Sequence, residues 1–383
     1  MFTDKHLLVV ASEQVAAQIK STDGIRTIIQ FLERSETELR IVALKLTRVL
    51  SGRCGTELLE ELRHRNKLAF LTGRLQDHNS TTGERSDASC ILANLPLSEN
   101  EVREVLGPNF LKWTVITLKE QRISNGRTLR SSTCMAEGLL GLLLHFAKCT
   151  DPQTLSWVKE NRLMAIFRDQ LGILSQPRCK QLAVLGLKHL SALGKVLVSD
   201  EDSEISPPQG FCFPVVFMCG RATPEPLTCP IHNAPCEEDI QLCLLRSDCI
   251  KPLIDLLFDE QTEVQIAVVE ALSTLIPDPS PFYRRASDEL DRLGVVDAVI
   301  NLFIDVRPGE LQEKTIWMVE RSLRGENTSQ RVALNESLVR ALGEALKHGN
   351  TNTRALAKDA LTYLKQISGA SGKIISGPIR LRR

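Results

Sequence analysis

The chain carries no net charge, because 47 lysines and arginines balance 47 aspartates and glutamates over 383 residues. Non-specific binding of nucleic acid draws on a net positive surface, so this balance argues against a nucleic-acid partner. Long hydrophobic runs are also missing. The longest, Gly138 to Ala147, is about half of what a membrane span needs, and Leu7 to Ala11 is too short for the apolar core of a secretory signal.

Catalytic motifs are missing as well. The sequence contains no Gly-x-Ser-x-Gly, no Walker loop, no Rossmann glycine pattern and no His-Glu-x-x-His. None of the scattered histidines pairs with an obvious nucleophile; Cys179 and His189, for example, lie about three turns apart on one predicted helix. We therefore expect no catalytic residue, no cofactor and no small-molecule substrate.

What the sequence does contain is a repeat. A small or β-branched apolar residue is followed seven positions later by Leu, and the steps between successive pairs are 45, 48, 47, 85, 48 and 41 residues. A period in the forties is typical of helical solenoids built from HEAT or armadillo units, which offer a long concave surface to a partner. We predict an all-α, armadillo-type right-handed superhelical solenoid of about seven repeats. The pairs are Ala43/Leu50, Ala88/Leu95, Ala136/Leu143, Ala183/Leu190, Val268/Leu275, Ile316/Leu323 and Ala357/Leu364.

The single long step marks an interruption that holds an acidic stretch and Pro207-Pro208, and six of the eleven cysteines follow from Cys212 to Cys249. Loops this long are usually functional or disordered. The sequence predicts repeats over 1–195, a cysteine-rich loop insertion over 196–248, repeats over 249–368 and a flexible basic tail over 369–383. An apolar start at Leu7 to Val10 without a polar capping repeat predicts that the chain is the C-terminal piece of a longer array.

Several stretches carry a family resemblance. The runs Asp23 to Ser51, Ala88 to Pro96 and Ile250 to Ala267 are similar to armadillo repeats. Together with Cys229-Pro230-Ile231-His232 and the ending Ala357 to Leu361, their order resembles the C-terminal armadillo region of plant U-box E3 ubiquitin ligases. The resemblance implies an array that binds protein substrates or regulators while a U-box recruits a ubiquitin-charged conjugating enzyme. It also implies a cytoplasmic location, with some members at the inner face of the plasma membrane.

The U-box itself is not recognisable here. Cys229-Pro230-Ile231 matches the first trigram of a U-box, but no Asp-Pro-Val turn follows. We expect this chain alone not to recruit a conjugating enzyme, so ubiquitin-protein transfer is implied by the resemblance only. The alternative is a stand-alone armadillo scaffold or adaptor without a link to ubiquitin transfer.

The insertion contains one metal-like spacing. Cys229-x2-His232-x3-Cys236, flanked by Cys219 and Cys243, could supply thiolate and imidazole ligands for tetrahedral zinc. No second Cys-x2-Cys pair exists, and a repeat scaffold is already present. The sequence therefore favours reduced thiols of a cytosolic or nuclear protein over a metal site.

Two columns of the repeat register give candidate groove residues. Six positions past the small residue stand Val49, Asn94, Leu142, His189, Thr274, Ser322 and Tyr363, and this single Asn is not the Asn ladder of nuclear-import receptors. In the column three positions before the small residue, four of the seven residues are basic. This column predicts either a row of hydrogen-bond donors for carboxylates or phosphates of a partner, or ordinary solvated charges at helix starts. The predicted partner-binding residues are Arg40, Arg85, Asn94, Lys180, His189 and Arg354.

The tail carries Lys373 and three arginines beside short apolar residues. This composition fits either a contact with a membrane surface or acidic partner, or a frayed solvated terminus.

Overall fold

The computed structural model describes residues 18–19, 23–123, 130–172, 176–201, 229–232, 236–237, 242–276, 283–332 and 335–370. Within these ranges the regular elements are helices and no strand occurs, which confirms the predicted all-α solenoid. The chain forms two compact units. Unit 1 comprises Met1–Ile166 and Leu174–Gly186, and unit 2 comprises Phe167–Ile173 and Leu187–Arg383.

The helices up to the end of unit 1 fall into successive groups in which a longer helix follows shorter ones. A π-helical turn, Val102–Leu106, separates α6 from α7. The helices of this part of the chain are α1 (Gly24–Gln30), α2 (Thr37–Ser51), α3 (Gly55–His64), α4 (Leu68–Gln76), α5 (Thr82–Asn94), α6 (Glu99–Glu101), α7 (Gly107–Ile123), α8 (Arg130–Lys148), α9 (Pro152–Glu160), α10 (Leu163–Leu171) and α11 (Pro177–Glu201). Helices α10 and α11 continue into unit 2.

Unit 2 continues the same grouping after a single 3-10 turn, Leu244–Arg246. Its helices are α12 (Ile250–Leu256), α13 (Thr262–Ser273), α14 (Tyr283–Arg292), α15 (Val295–Asp305), α16 (Glu310–Leu323), α17 (Glu326–Val332), α18 (Glu336–His348) and α19 (Thr351–Ala370). We refer to α2, α5, α8, α11, α13, α16 and α19, which end their groups, as the third helices. Among the helices described, none is long and apolar enough to cross a membrane.

The third helices carry the repeat that the sequence shows. Every member of the seven small-to-Leu pairs is buried except Ala136, which is half-buried. Leu190, for instance, is fully buried. Leu46, one turn before Leu50, does not fill the same layer, because it is 41% exposed. It belongs to an apolar stripe on α2 that faces outward, together with Leu39, Val42 and Val49.

The third helices carry a clearer apolar pattern in the sequence than the short helices that precede them. Among the third helices, α5 contains Ala88 with Leu95 directly after its last residue, and α16 contains both Ile316 and Leu323. The short helices α3, α9, α14 and α17 contain none of the seven small-to-Leu pairs. Each buries a narrow stripe; α9, for example, buries Leu155 and Val158 among polar neighbours.

Side-chain caps fix several starts. Thr81 and Glu84 form a reciprocal capping box at α5, and Asp151 accepts from the Thr154 N–H at α9. Such caps satisfy backbone donors that a helix start leaves unpaired.

Helices α5 and α8 of unit 1 approach unusually closely. A Cβ at Gly138 would lie 2.6 Å from the Ser89 Cβ, and one at Gly141 would lie 2.6 Å from the Ala93 Cβ. Glycine is therefore required at these two positions of α8 by the neighbouring backbone rather than by a turn.

The predicted boundary of the insertion at residue 195 is wrong, because α11 continues to Glu201. The insertion also contains described structure at its C-terminal side, in a turn at Cys229–His232 and in the 3-10 turn. The predicted tail begins within α19, which runs to Ala370, and its remaining residues lie outside the described ranges.

Candidate functional site

A recess of about 570 Å³ opens on the surface where the third helices of unit 2 lie side by side. Four such helices, α11, α13, α16 and α19, supply its lining. The lining residues are Lys188, Glu270, Ser273, Glu313, Lys314, Trp317, Asn352, Ala355 and Leu356. All of these side chains are half-buried or exposed, and they include both polar and apolar residues.

One carboxylate joins three repeats at this recess. The two Glu270 oxygens each lie 2.8 Å from an ammonium nitrogen, one from Lys188 on α11 and the other from Lys314 on α16. Partial burial opposes ionisation of Glu270, but the two lysines outweigh it and lower its pKa. The hydrogen bond to Glu270 raises the pKa of Lys314, so both groups stay charged near neutral pH.

Trp317 gives the recess an aromatic surface. The residue is half-buried, and the Arg321 guanidinium lies 5.2 Å from its ring centroid. Beside it, the Glu313 carboxylate accepts hydrogen bonds from the side-chain amides of Asn350 at 2.9 Å and Asn352 at 3.0 Å. Tryptophan is among the residues enriched at protein-binding surfaces.

Arg40 does not face a partner-binding groove as predicted. Its side chain is buried and its Nε donates to Glu84 Oε1 at 2.6 Å, which ties α2 to α5. Its other nitrogens donate to the Arg34 carbonyl at 3.0 Å and to the Thr37 hydroxyl at 3.4 Å. The prediction of a partner-facing donor is therefore wrong for Arg40, since the guanidinium already has internal partners.

The other predicted residues have mixed surroundings. Arg85 is half-buried and donates to the Leu75 carbonyl at 3.1 Å, while exposed Asn94 donates to the Ser51 hydroxyl at 3.2 Å. Lys180 and His189 are half-buried on α11, and both interact with neighbours. Arg354 is exposed on α19. Four of the six predicted residues belong to unit 1, whereas His189 and Arg354 belong to unit 2.

The residues of the recess were missed because repeat columns do not predict inter-helix pairing. Trp317 follows the small residue Ile316 directly and so belongs to neither column considered. One signal was available: Trp317 is one of only three tryptophans in the chain, and a tryptophan in the middle of a third helix is a candidate contact residue.

A separate cluster lies before α12. Cys229, His232 and Cys236, the candidate zinc ligands, come together with Cys243, and the four potential ligand atoms all lie within 4.8 Å of one another. A hydrogen bond from Cys243 lowers the pKa of the Cys229 thiol, whereas burial raises that of Cys236. Cys219, the other flanking candidate, lies outside the described residues.

Comparison with known proteins finds several plant U-box domain-containing proteins that are similar to this chain. U-box domain-containing protein 43 of Arabidopsis thaliana is 28% identical over 371 residues, which cover 94% of this chain and 44% of that protein. U-box domain-containing protein 24 of Oryza sativa subsp. japonica is 27% identical over 370 residues, with 93% and 44% covered. The chain thus spans less than half the length of the curated relatives it matches. No protein-family profile matches it.

Among solved structures, a designed armadillo repeat protein superposes with a TM-score of 0.51 at 13% identity, covering 78% of this chain and 99% of that one. An engineered protein has the same TM-score at 12% identity and covers 79% of this chain. Both comparisons concern the fold. With the curated relatives, they confirm the resemblance to the armadillo region of plant U-box proteins.

Proposed function

We propose that this relative of plant U-box domain-containing proteins is the protein-binding armadillo array of a ubiquitin ligase system, and that the recess around Trp317 receives an extended segment of a substrate or regulator. The observation that carries the proposal is the composition of the recess. Consecutive third helices present an aromatic ring, two ammonium groups and the side-chain amide of Asn352 on one surface.

The chemistry of the recess indicates which segment would fit. Trp317 offers a flat apolar face to a partner's aliphatic or aromatic side chain. Lys314 is 40% exposed despite its bond to Glu270, so its remaining ammonium protons can reach a carboxylate. The amides of Asn352 and its neighbours suit the backbone of an extended peptide. A segment with a large apolar residue next to an acidic one therefore matches the site.

The link to ubiquitin transfer rests on the similarity to proteins whose names carry the U-box. In this proposal the array selects the protein to be modified, and a U-box supplied outside these residues recruits the conjugating enzyme. The chain itself contributes no reacting group to the transfer, and catalysis is limited to holding the substrate close to the conjugating enzyme.

Binding is tested with a peptide library. The full chain is used to select displayed peptides, and the affinity of enriched peptides is measured by fluorescence anisotropy. We expect Trp317→Ala to weaken binding about tenfold or more, in line with loss of an aromatic anchor. Trp157→Ala is the matched control, since Trp157 is also half-buried but lies on α9 of unit 1. Equal affinity of selected peptides for both variants would place their binding site elsewhere.

Ubiquitination is tested in a second step. A selected peptide is fused to a reporter protein, the chain is fused to a U-box, and modification of the reporter is followed with conjugating enzyme and ubiquitin. The proposal expects modification with the parent chain and its loss with Trp317→Ala. A reporter that binds and yet is not modified would favour the alternative of an armadillo scaffold without a ubiquitin-ligase link.

We also propose a cytoplasmic protein that associates with the plasma membrane periphery through its basic tail. Lys373 and the arginines at 380, 382 and 383 are the residues that would contact anionic headgroups. Co-sedimentation with phosphatidylserine vesicles tests this, comparing the parent with a variant that has alanine at these four positions. Equal sedimentation of both proteins would exclude the tail as an anchor.

A further inference from the structure

We propose that Cys229, His232, Cys236 and Cys243 form a structural site for a tetrahedral zinc ion in unit 2. The inference is independent of the recess around Trp317. The four side chains come from a turn, an extended segment and the residue before a 3-10 turn, and together they offer three sulfur ligands and one nitrogen ligand.

The spacing of the sulfur atoms matches zinc better than a disulfide. Cys229 Sγ and Cys243 Sγ lie 3.8 Å apart. In a tetrahedral site with zinc–sulfur bonds of about 2.3 Å, two sulfurs stand about 3.8 Å apart, whereas a disulfide joins them at about 2.0 Å. The two thiols are therefore at the separation of ligands that share a metal ion.

Burial supports a bound ion over four ordinary thiol and imidazole groups. Cys229, Cys243 and His232 are all buried, the first two almost completely. The imidazole of His232 interacts with the Cys229 sulfur, while its Nδ1 has no hydrogen-bond partner in the described part of the chain. Buried ring nitrogens are normally satisfied, and coordination by zinc engages one of them directly and orients the other.

The charge balance of the site is also favourable. Three thiolates and a neutral imidazole around a zinc ion leave one net negative charge. The exposed guanidinium of Arg246 is close enough to act electrostatically on Cys236, so it can offset that charge. Loading the site releases the thiol protons to solvent as the metal binds.

Four protein ligands leave no open position for water, which assigns the ion a structural role. The ion would hold the end of the insertion against the following repeat. Arg168 of α10 already donates to the Ser247 carbonyl at 3.3 Å, immediately after the cluster. Metal binding would therefore fix Cys229, His232 and Cys236 to Cys243, which directly precedes the 3-10 turn before α12.

The test uses the full chain, purified with reductant, stripped with a chelator and then loaded with zinc or cobalt. Zinc content is measured by mass spectrometry of the metal after dialysis. We expect one zinc per chain, and with cobalt we expect the intense visible bands of tetrahedral coordination together with thiolate-to-cobalt charge transfer. A parent chain that keeps no metal, or that gives only the weak octahedral cobalt spectrum, overturns the proposal.

Matched variants distinguish this site from adventitious binding. Cys243→Ser should lose the bound zinc and the tetrahedral cobalt spectrum, whereas Cys249→Ser should keep both, because Cys249 is equally buried but lies outside the cluster. Circular dichroism verifies that both variants stay helical. Equal metal content in the two variants, or an intact mass showing a Cys229–Cys243 disulfide in the purified parent, contradicts the proposal.

Discussion

Arg40 Nε lies 2.6 Å from Glu84 Oε1, and this ion pair joins two consecutive third helices inside unit 1. Glu84 also completes the capping box with Thr81. Burial opposes ionisation of Glu84, but hydrogen bonds from the Thr81 backbone and from Arg40 outweigh it and hold its pKa below the ordinary value. A residue that the sequence assigned to partner binding thus supports the packing between repeats.

The first prediction follows from this pair. Arg40→Ala leaves the Glu84 carboxylate buried without its cation, and removing one partner of a buried pair costs about 3–5 kcal/mol of unfolding free energy. Urea denaturation of the variant and the parent measures the loss. Arg354→Ala is the control, because Arg354 is exposed and should change stability by no more than about 0.5 kcal/mol. Similar midpoints for both variants would show that the pair is not stabilising.

The second prediction concerns packing between repeats. Leu190→Ala should lower the unfolding free energy by about 2–5 kcal/mol, through lost apolar burial and the cavity that remains. Leu46→Ala is the matched control on another third helix, since Leu46 is 41% exposed whereas Leu190 is fully buried. Guanidinium denaturation followed by far-UV circular dichroism measures both. A loss for Leu46→Ala as large as that for Leu190→Ala would mean that the outward stripe on α2 is covered in solution.

The third prediction is a pH dependence. His145 donates from Nε2 to the Leu92 carbonyl at 3.0 Å, and burial lowers its pKa from 6.5 to about 4. Because the unfolded chain takes up the proton first, the folded state loses stability as the pH falls from about 6.5 to 4, by at most about 3 kcal/mol. Above about pH 6.5 the imidazole is neutral in both the folded and the unfolded chain, so this loss of stability does not occur.

Urea denaturation at a series of pH values tests this. His145→Gln should show a shallower fall of stability between pH 6.5 and 4 than the parent, whereas His348→Gln should follow the parent, since His348 is exposed beside Glu344. If the His145→Gln and parent curves run parallel across that window, His145 is not the titrating group.

The fourth prediction reverses the usual effect of replacing a helical glycine. Alanine normally stabilises a helix interior by about 1 kcal/mol relative to glycine. At Gly138 the added Cβ would lie 2.6 Å from the Ser89 Cβ, so the two helices must separate and Gly138→Ala should destabilise by about 1–3 kcal/mol. Gly73→Ala, where nothing lies within 4 Å, should stabilise instead. Thermal melts that shift in the same direction would refute the close approach.

The sequence predicts the third helices well because their packing is local. A pair such as Ala183 and Leu190 is fully buried, and its apolar spacing is visible without coordinates. The short helix α14 is different, since its buried apolar residues Ala286 and Leu290 stand one turn apart among charged residues, and two such residues are too few to mark a helix in the sequence.

The candidate sites depended on contacts between distant positions, which spacing alone does not predict. Arg40 finds its partner 44 residues away, so its burial could not be anticipated from its column. Cys243 stands seven residues past Cys236 in the sequence, an unremarkable spacing, and the turn ending at Arg246 brings it to the other ligands. Trp317 becomes a site residue only when α11, α13, α16 and α19 lie side by side.

Glu270, held by Lys188 from the preceding repeat and Lys314 from the following one, limits how this array can evolve. Solenoids gain and lose units by duplication and deletion because each repeat contacts only its neighbours. Deleting the unit that carries Glu270 would remove the anion that two lysines share and bring two cations onto adjacent helices. Copying that unit would give each carboxylate a single lysine. Point substitutions are therefore an easier evolutionary route at these three repeats than a change in their number.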